Sequence, residues 1–219
     1  MLSPTDLQVL ATTLIVAAKA LLILPLAIAV AFALSRPRLP GRLAWDGLVH
    51  LPVILPPILI GFLLLQLLGR QGVFGGWINL AFTQNGAALA TAVMIFPLLV
   101  RSVRLSFDAI DPRLLDAAAM LGAGPWDRFF SIALPLAWPG ILAGAVTAFA
   151  AAMGEFGAVI TFAANIPGET QTLPLAIYQV LQQPGGEVEA WRLALLSLSL
   201  AFAGLIAAEL LQRWARRRV

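Results

Sequence analysis

Five long apolar runs divide the chain, at residues 7–34, 48–68, 87–105, 136–162 and 193–211. Each is long enough to cross the hydrocarbon core of a bilayer as a helix, which takes about 20 residues. The in–out alternation of barrel strands is missing, and the runs are too long for it. The pattern predicts an all-α integral membrane protein, with five transmembrane helices in a single domain over residues 6–213. The run at 7–34 also has features of a signal peptide, with Lys19 as its charge and Ala31-Phe32-Ala33 as a small-residue cleavage site. But residues 7–18 are already apolar, and Arg36, Arg38 and Arg42 follow like a stop-transfer flank, so the run reads as an uncleaved span.

Prolines and glycines modulate these runs. Pro52, Pro56 and Pro57 crowd the start of the second, and Pro97 kinks the third, because proline removes a backbone donor and clashes with the preceding turn. The connection at 69–86 is turn-rich, with Gly72, Gly75 and Gly76. The fourth run is dense in small residues, among them Gly140, Gly144 and Ala148, which let helices approach closely in lipid. Pro167-Gly168 and Pro184-Gly185-Gly186 punctuate the polar stretch 165–192, and residues 173–181 within it predict a short helix resting on the membrane surface.

The polar interval between the third and fourth spans, residues 111–135, has a pattern of its own. Asp111 suits an N-cap and Pro112 the first helical position. Leu114, Ala118 and Leu121 recur at helical spacing, Gly122 can close the helix in the left-handed conformation, and Gly124-Pro125 restarts the chain. A short helix carrying Ala117, Ala118, Ala119 and Gly122 offers a shape for another protein to grip, although an ordinary ordered loop fits the same residues.

Composition agrees with the membrane pattern. The chain is 60% hydrophobic and 11% charged, too few charges to coat a soluble globule. The net charge of +3 does not point to nucleic acid, because the arginines sit at span ends. With five spans, eleven arginines (36, 38, 42, 101, 104, 113, 128, 213, 216, 217 and 218) fall on one side, and Arg70 and Arg192 on the other. The positive-inside rule then puts the N-terminus outside and the C-terminus and residues 111–135 in the cytoplasm. There is no cysteine, and the one histidine, His50, has no visible ligand partners and reads as structural. No catalytic set can be assembled. Lys19 is the only lysine and lies in Val16-Ala17-Ala18-Lys19-Ala20, so the chain has no phosphate-binding loop of the GxxxxGK[ST] type. In mid-membrane Lys19 must face protein or water. Glu155, flanked by Gly154 and Gly157, is a functional candidate for the same reason; otherwise it pairs with Lys19 or a helix end and fixes packing.

Asp116-Ala117-Ala118, three residues, Gly122, nine residues, then Ile132-x-Leu134-Pro135 resembles the EAA motif of ABC importer permeases, with Asp116 where that family usually has Glu. Gly154-Glu155-Phe156-Gly157-Ala158 and the run Asn165 to Thr170 are similar to the oxyanion branch of those permeases. His50-Leu51-Pro52, Leu55-Pro56-Pro57 and Phe96-Pro97-Leu98 look most like its molybdate members. The resemblance implies a type I ABC importer permease fold and a dimer with a second copy of the chain. It implies two ABC ATPase subunits docked on residues 111–135 through Asp116, Ala117, Ala118, Gly122, Ala123 and Gly124, and an external oxyanion-binding protein. It implies no cofactor on this chain, with ATP and magnesium on the ATPase, and molybdate as substrate, with tungstate or sulfate as alternatives. In that setting Gly154, Glu155, Gly157 and Lys19 are pathway or gate candidates. A glutamate would repel an oxyanion, so Glu155 fits a gate or packing role better than a ligand role. An ion-coupled secondary transporter is the rival reading, for which Lys19 and Glu155 are the available ionisable groups and an internal repeat is lacking.

Overall fold

A computed structural model of the chain describes residues 3–36, 39–75, 77–78 and 80–216, so Arg38, Gly76, Arg217 and Arg218 lie outside the described residues. The fold is all-helical among the described residues. Helices α1 (Pro4–Ala20) and α2 (Leu24–Ser35) form one run, joined by a 3-10 turn at Leu21–Ile23. That tightened turn sits where Pro25 cannot donate to the carbonyl of Leu21, and Leu24 N–H takes that carbonyl instead. Ser3 and Asp6 build a capping box at the start of α1, with bonds of 2.8 and 3.1 Å. Arg192 then ties Asp6, itself buried, to the start of the last helix at 3.1 Å.

The second apolar run, expected as one span at 48–68, is two helices. α3 (Arg42–Ile54) and α4 (Pro57–Leu68) meet at a bend of 108°. Pro56 and Pro57 force the break, since neither can donate and each holds the residue before it extended; Leu55 has φ −77° and ψ 146°. α5 (Gln84–Asp108) runs unbroken through Pro97 and is the most buried of the apolar helices.

The short helix α6 (Pro112–Met120) follows, and then α7 (Pro125–Arg128). α7 continues through one π-turn at Phe129–Ala133 into α8 (Leu134–Met153), so the run begins well before the expected residue 136. The π-turn stands where Pro135 leaves a carbonyl of the preceding turn without its usual donor. The same run, expected to reach residue 162, stops at Met153 and restarts as α9 (Gly157–Phe162). α10 (Leu173–Leu181) does not rest free on a surface. It packs against α1 and α11, buries Leu173 and Leu175, and donates the Leu173 N–H to Thr13 Oγ1 at 2.9 Å. α11 (Glu187–Arg216) starts ahead of the expected residue 193, where Gly185 turns the chain at φ +79° and Glu187 and Glu189 suit the positive end of a helix.

Among the described residues, the runs Pro4–Ser35, Gln84–Asp108 and Pro125–Met153 are long and apolar enough to cross a membrane, and the count rises to four if the bent pair α3–α4 is taken as one span. The core forms where α5 lies between α2 and α8. Small residues set that contact. A Cβ on Gly144 would come within 2.8 Å of Ser102 Cβ, and one on Gly140 would overlap Ser106 Oγ, so the helix axes approach more closely there than larger side chains allow.

Candidate coupling segment and pathway residues

The segment between α5 and α8 closes in the manner its residues suggest. Asp111 accepts the Arg113 N–H at 2.9 Å, and Pro112 occupies the first helical position. Gly122 has φ +89°, its N–H bonds the Ala119 carbonyl, and the Ala123 N–H reaches back to Ala118, each at 3.0 Å. That pair of bonds is a Schellman closure, which needs a left-handed residue at Gly122. Nothing lies within 4 Å of where a Cβ would stand on Gly122 or Gly124, so the requirement at Gly122 is conformational rather than steric.

The helix leaves much of itself uncovered. Leu114, Met120, Leu121, Trp126 and Phe130 are exposed, Leu121 at 89%. Its inner side is anchored by aromatic rings. Phe129 sits 4.5 Å from Phe32, Phe32 sits 5.2 Å from Phe107, and the Arg36 guanidinium lies 4.6 Å over Phe32. α6, the π-turn and the C-terminal ends of α2 and α5 therefore meet around one cluster, beside a cleft of about 480 Å³ lined by Asp108, Asp116 and Arg128 among others.

Two further places hold polar groups within the apolar zone. At the α8–α9 break, Glu155 Oε1 accepts the Ala158 N–H at 3.0 Å and so closes the first turn of α9. α9 packs on α4: a Cβ on Gly61 would come within 2.6 Å of the Ala158 carbonyl, and one on Gly157 within 2.7 Å of Pro57 Cβ. The breaks of the second and fourth apolar runs thus lie against each other, with Gly157 beside Pro57. Lys19 is elsewhere. Its Nζ donates to Gln84 Oε1 at 2.9 Å and to Asn85 Oδ1 at 2.8 Å, at the first turn of α5. Of the two structural partners open to Glu155, the helix end is the one it takes.

The sequence reading missed Gln84 and Asn85, which look like ordinary loop-to-helix residues until α1 is laid beside them. It also missed the pairing of the start of α3 with the end of α5, where Asp46 Oδ1 lies 2.7 Å from Arg104 and Arg104 Nε lies 3.5 Å from Asp108. His50 joins that cluster through Nδ1, 2.8 Å from the Asp46 carbonyl. The Asp46/His50 spacing of four along α3 was the available signal.

A bundle with a broken second and fourth run and an exposed short helix between α5 and α8 has the fold of the membrane subunits of type I ABC importers. The crystal structure of a bacterial alginate ABC transporter, in complex with its alginate pentasaccharide-bound periplasmic protein, superposes with a TM-score of 0.76 at 18% identity over 94% of this chain and 77% of that one. Residues 22–219 match the family described as binding-protein-dependent transport system inner membrane component, and the chain belongs to that family. It is similar to the molybdenum transport system permease protein ModB of Escherichia coli (strain K12), 49% identical over 201 residues covering 89% of this chain and 88% of that one. It is also similar to the sulfate transport system permease protein CysT of the same organism, 37% identical over 158 residues covering 70% of this chain and 57% of that one. The protein is a multi-pass inner membrane permease subunit, not an enzyme, and ATP hydrolysis belongs to a separate subunit.

Proposed function

We propose that the chain is the membrane subunit of an ATP-driven molybdate importer. The observation that carries this reading is its likeness to the molybdenum permease, 49% identical along nearly the whole chain against 37% for the sulfate permease over a shorter stretch. Two copies of the chain form the pathway, an ABC ATPase docks under each, and an external binding protein delivers the oxyanion. ATP and magnesium bind on the ATPase.

The docking surface is the exposed side of α6 and its Schellman end, with Asp116, Ala117, Ala118, Gly122, Ala123 and Gly124. ATP-driven closure of the ATPases moves these helices, and the ring cluster of Phe32, Phe107 and Phe129 passes the movement to α2 and α5. Outward and inward openings are then the two states of one element, biased by nucleotide on one side and by loaded binding protein on the other. Gly154, Glu155 and Gly157 form part of the gate, at the meeting of the two broken runs, and Lys19 lines the pathway. Five spans with the N-terminus outside and the C-terminus inside put α6 in the cytoplasm.

The test is uptake into vesicles holding the chain with an ABC ATPase and an oxyanion-binding protein from the same organism. Labelled molybdate should accumulate only with ATP on the ATPase side, and a hundredfold excess of sulfate should leave most of the uptake intact. Uptake that sulfate abolishes would reassign the substrate. Uptake driven by an ion gradient without ATP would reject the ABC mechanism.

A further inference from the structure

The group around Lys19 has a chemistry that a structural clamp does not require. Its ammonium donates to two neutral amide oxygens, and among the described residues no carboxylate lies at ion-pair distance from it. Glu155, the other ionisable group deep in the apolar runs, is turned to the α9 backbone. The positive charge at Lys19 is therefore solvated by dipoles but not neutralised. An ammonium has only donors, so Gln84 and Asn85 must present their oxygens to it and turn their NH2 groups away. One ammonium proton and the two amide NH2 groups remain to donate. The unneutralised charge and its remaining proton suit an anion whose outer atoms are all acceptors, and the amide NH2 groups can reach it only after the side chains turn.

The location adds a second argument. Lys19 lies roughly 20 Å along the first helical run from the Asp6–Arg192 pair, and roughly 24 Å from Ser35, at about 1.5 Å per residue. Its partners begin α5, directly after the irregular segment that links α4 to α5, and the Phe82 N–H of that segment bonds the Phe162 carbonyl at the end of α9 at 3.2 Å. Non-helical backbone at such depth is tolerated only against protein or water. Asn85 is exposed, and a polar amide next to a cation does not face lipid. The exposed side of the group therefore faces water or the second copy of the chain, and not lipid.

We infer that Lys19, Gln84 and Asn85 form a binding site for a tetrahedral oxyanion in a water-filled cavity that opens to the outer side. The inference takes the identity of the anion, molybdate, and the outer side from the proposed function. It adds the chemistry of recognition and the two amide residues. The site is a stepping point, where donors replace part of the anion's hydration after the binding protein releases it. Its discrimination among tetrahedral dianions is weak, because the donors are few and on flexible side chains.

The absence of cysteine from the sequence allows a direct test. Asn85→Cys places the only thiol of the chain beside Lys19. In the complete transporter, reconstituted in phosphatidylcholine vesicles, it should react with methanethiosulfonate reagents added outside. The anionic sulfonate reagent should outpace the cationic trimethylammonium one on the order of tenfold, after correction for their rates with free cysteine, as expected for one charge at close range in a medium intermediate between water and protein. Lys19→Gln in this background should remove that preference, and Lys19→Arg should keep it. Millimolar molybdate should slow the labelling, and the protection should vanish with Lys19→Gln. A thiol that is unreactive from outside, or that shows no charge preference, overturns the site. Protection by molybdate and sulfate alike, with ATP-driven uptake of sulfate but not of molybdate, keeps the site and rejects the substrate reading, so the two fail separately. Protection by added phosphatidylglycerol with no effect of molybdate assigns the ammonium to a lipid headgroup and overturns the proposal. If Lys19→Gln fails to assemble, the reagent preference and its response to molybdate in the Asn85→Cys protein decide the matter alone.

Discussion

Gly122 and Glu155 show how much one position determines. At Gly122 the backbone sits at φ +89° with open space around the missing Cβ, so substitution carries a conformational cost alone. Gly122→Val should cost roughly 1–3 kcal/mol of local strain and unwind the end of α6, while Gly122→Asn, which tolerates the left-handed region, should cost less. The expected result is insertion into the membrane at parental levels with loss of ATPase co-purification for the valine variant, and partial retention for asparagine. Normal coupled transport by Gly122→Val would count against the docking role of α6. At Glu155 one oxygen closes the first turn of α9. Glu155→Gln keeps an acceptor in place, so the preference for molybdate over sulfate should stay unchanged while ATPase activity without substrate shifts. Glu155→Ala removes the acceptor and should destabilise the complex by about 1 kcal/mol, read as a lower melting temperature. A changed oxyanion preference in Glu155→Gln would instead make Glu155 a ligand. Both residues stood out in the sequence, Gly122 by its place after an apolar stripe and Glu155 by being a carboxylate in an apolar run. What the sequence left open was the partner of Glu155. Ala158 lies three residues on and Lys19 far off in the chain, and only the break at 154–156 chooses between them.

At the scale of elements, periodicity located the apolar runs and was blind to their continuity. Hydropathy is the same on both sides of Pro56-Pro57, and again around Gly154, yet one break turns the chain by 108° and the other separates α8 from α9. Proline density signalled the first break. The second had only two glycines and a carboxylate to mark it. The two breaks are linked by packing, since α4 and α9 lie together at Gly61 and Gly157. Gly61→Leu should push against the Ala158 carbonyl and Thr161 and destabilise by about 1–3 kcal/mol, as overpacking does elsewhere. Gly47 is the internal control, because a Cβ there meets nothing within 4 Å. The measurement is the melting temperature of the purified complex. A drop for Gly61→Leu with none for Gly47→Leu is expected, and equal behaviour would mean that the α4–α9 contact is not close in the assembled protein. α10 was placed by its flanking glycines and prolines, but its seat beside α1 depended on the Thr13 hydroxyl accepting the Leu173 N–H, a contact between residues 160 apart in sequence that no local pattern reports.

For the whole molecule, orientation follows from charge and is open to direct measurement. Arg36, Arg42, Arg101, Arg104, Arg113 and Arg128 lie at or near the ends of helices that reach the α6 side, whereas Arg70 and Arg192 belong to the opposite side. Arg192 is also engaged by Asp6 and Glu189, at 3.1 and 3.0 Å, so that side offsets its own cation with carboxylates. The positive-inside rule counts such loop arginines and predicts that α6 faces the cytoplasm. A reporter active only in the cytoplasm, fused after Gly41 or after Val219, should give signal, and one inserted at Gly185 should not. A reporter active only outside should do the reverse. Gly185 suits an insertion, because it turns the chain at φ +79° and a Cβ there would meet nothing within 4 Å. Cytoplasmic signal at Gly185 together with Val219 would put both ends of α11 on one side and so remove that helix as a span. External signal at Gly41 would turn α6 away from ATP, and the docking of an ATPase on Asp116 and Gly122 would then be impossible however closely the motif matches.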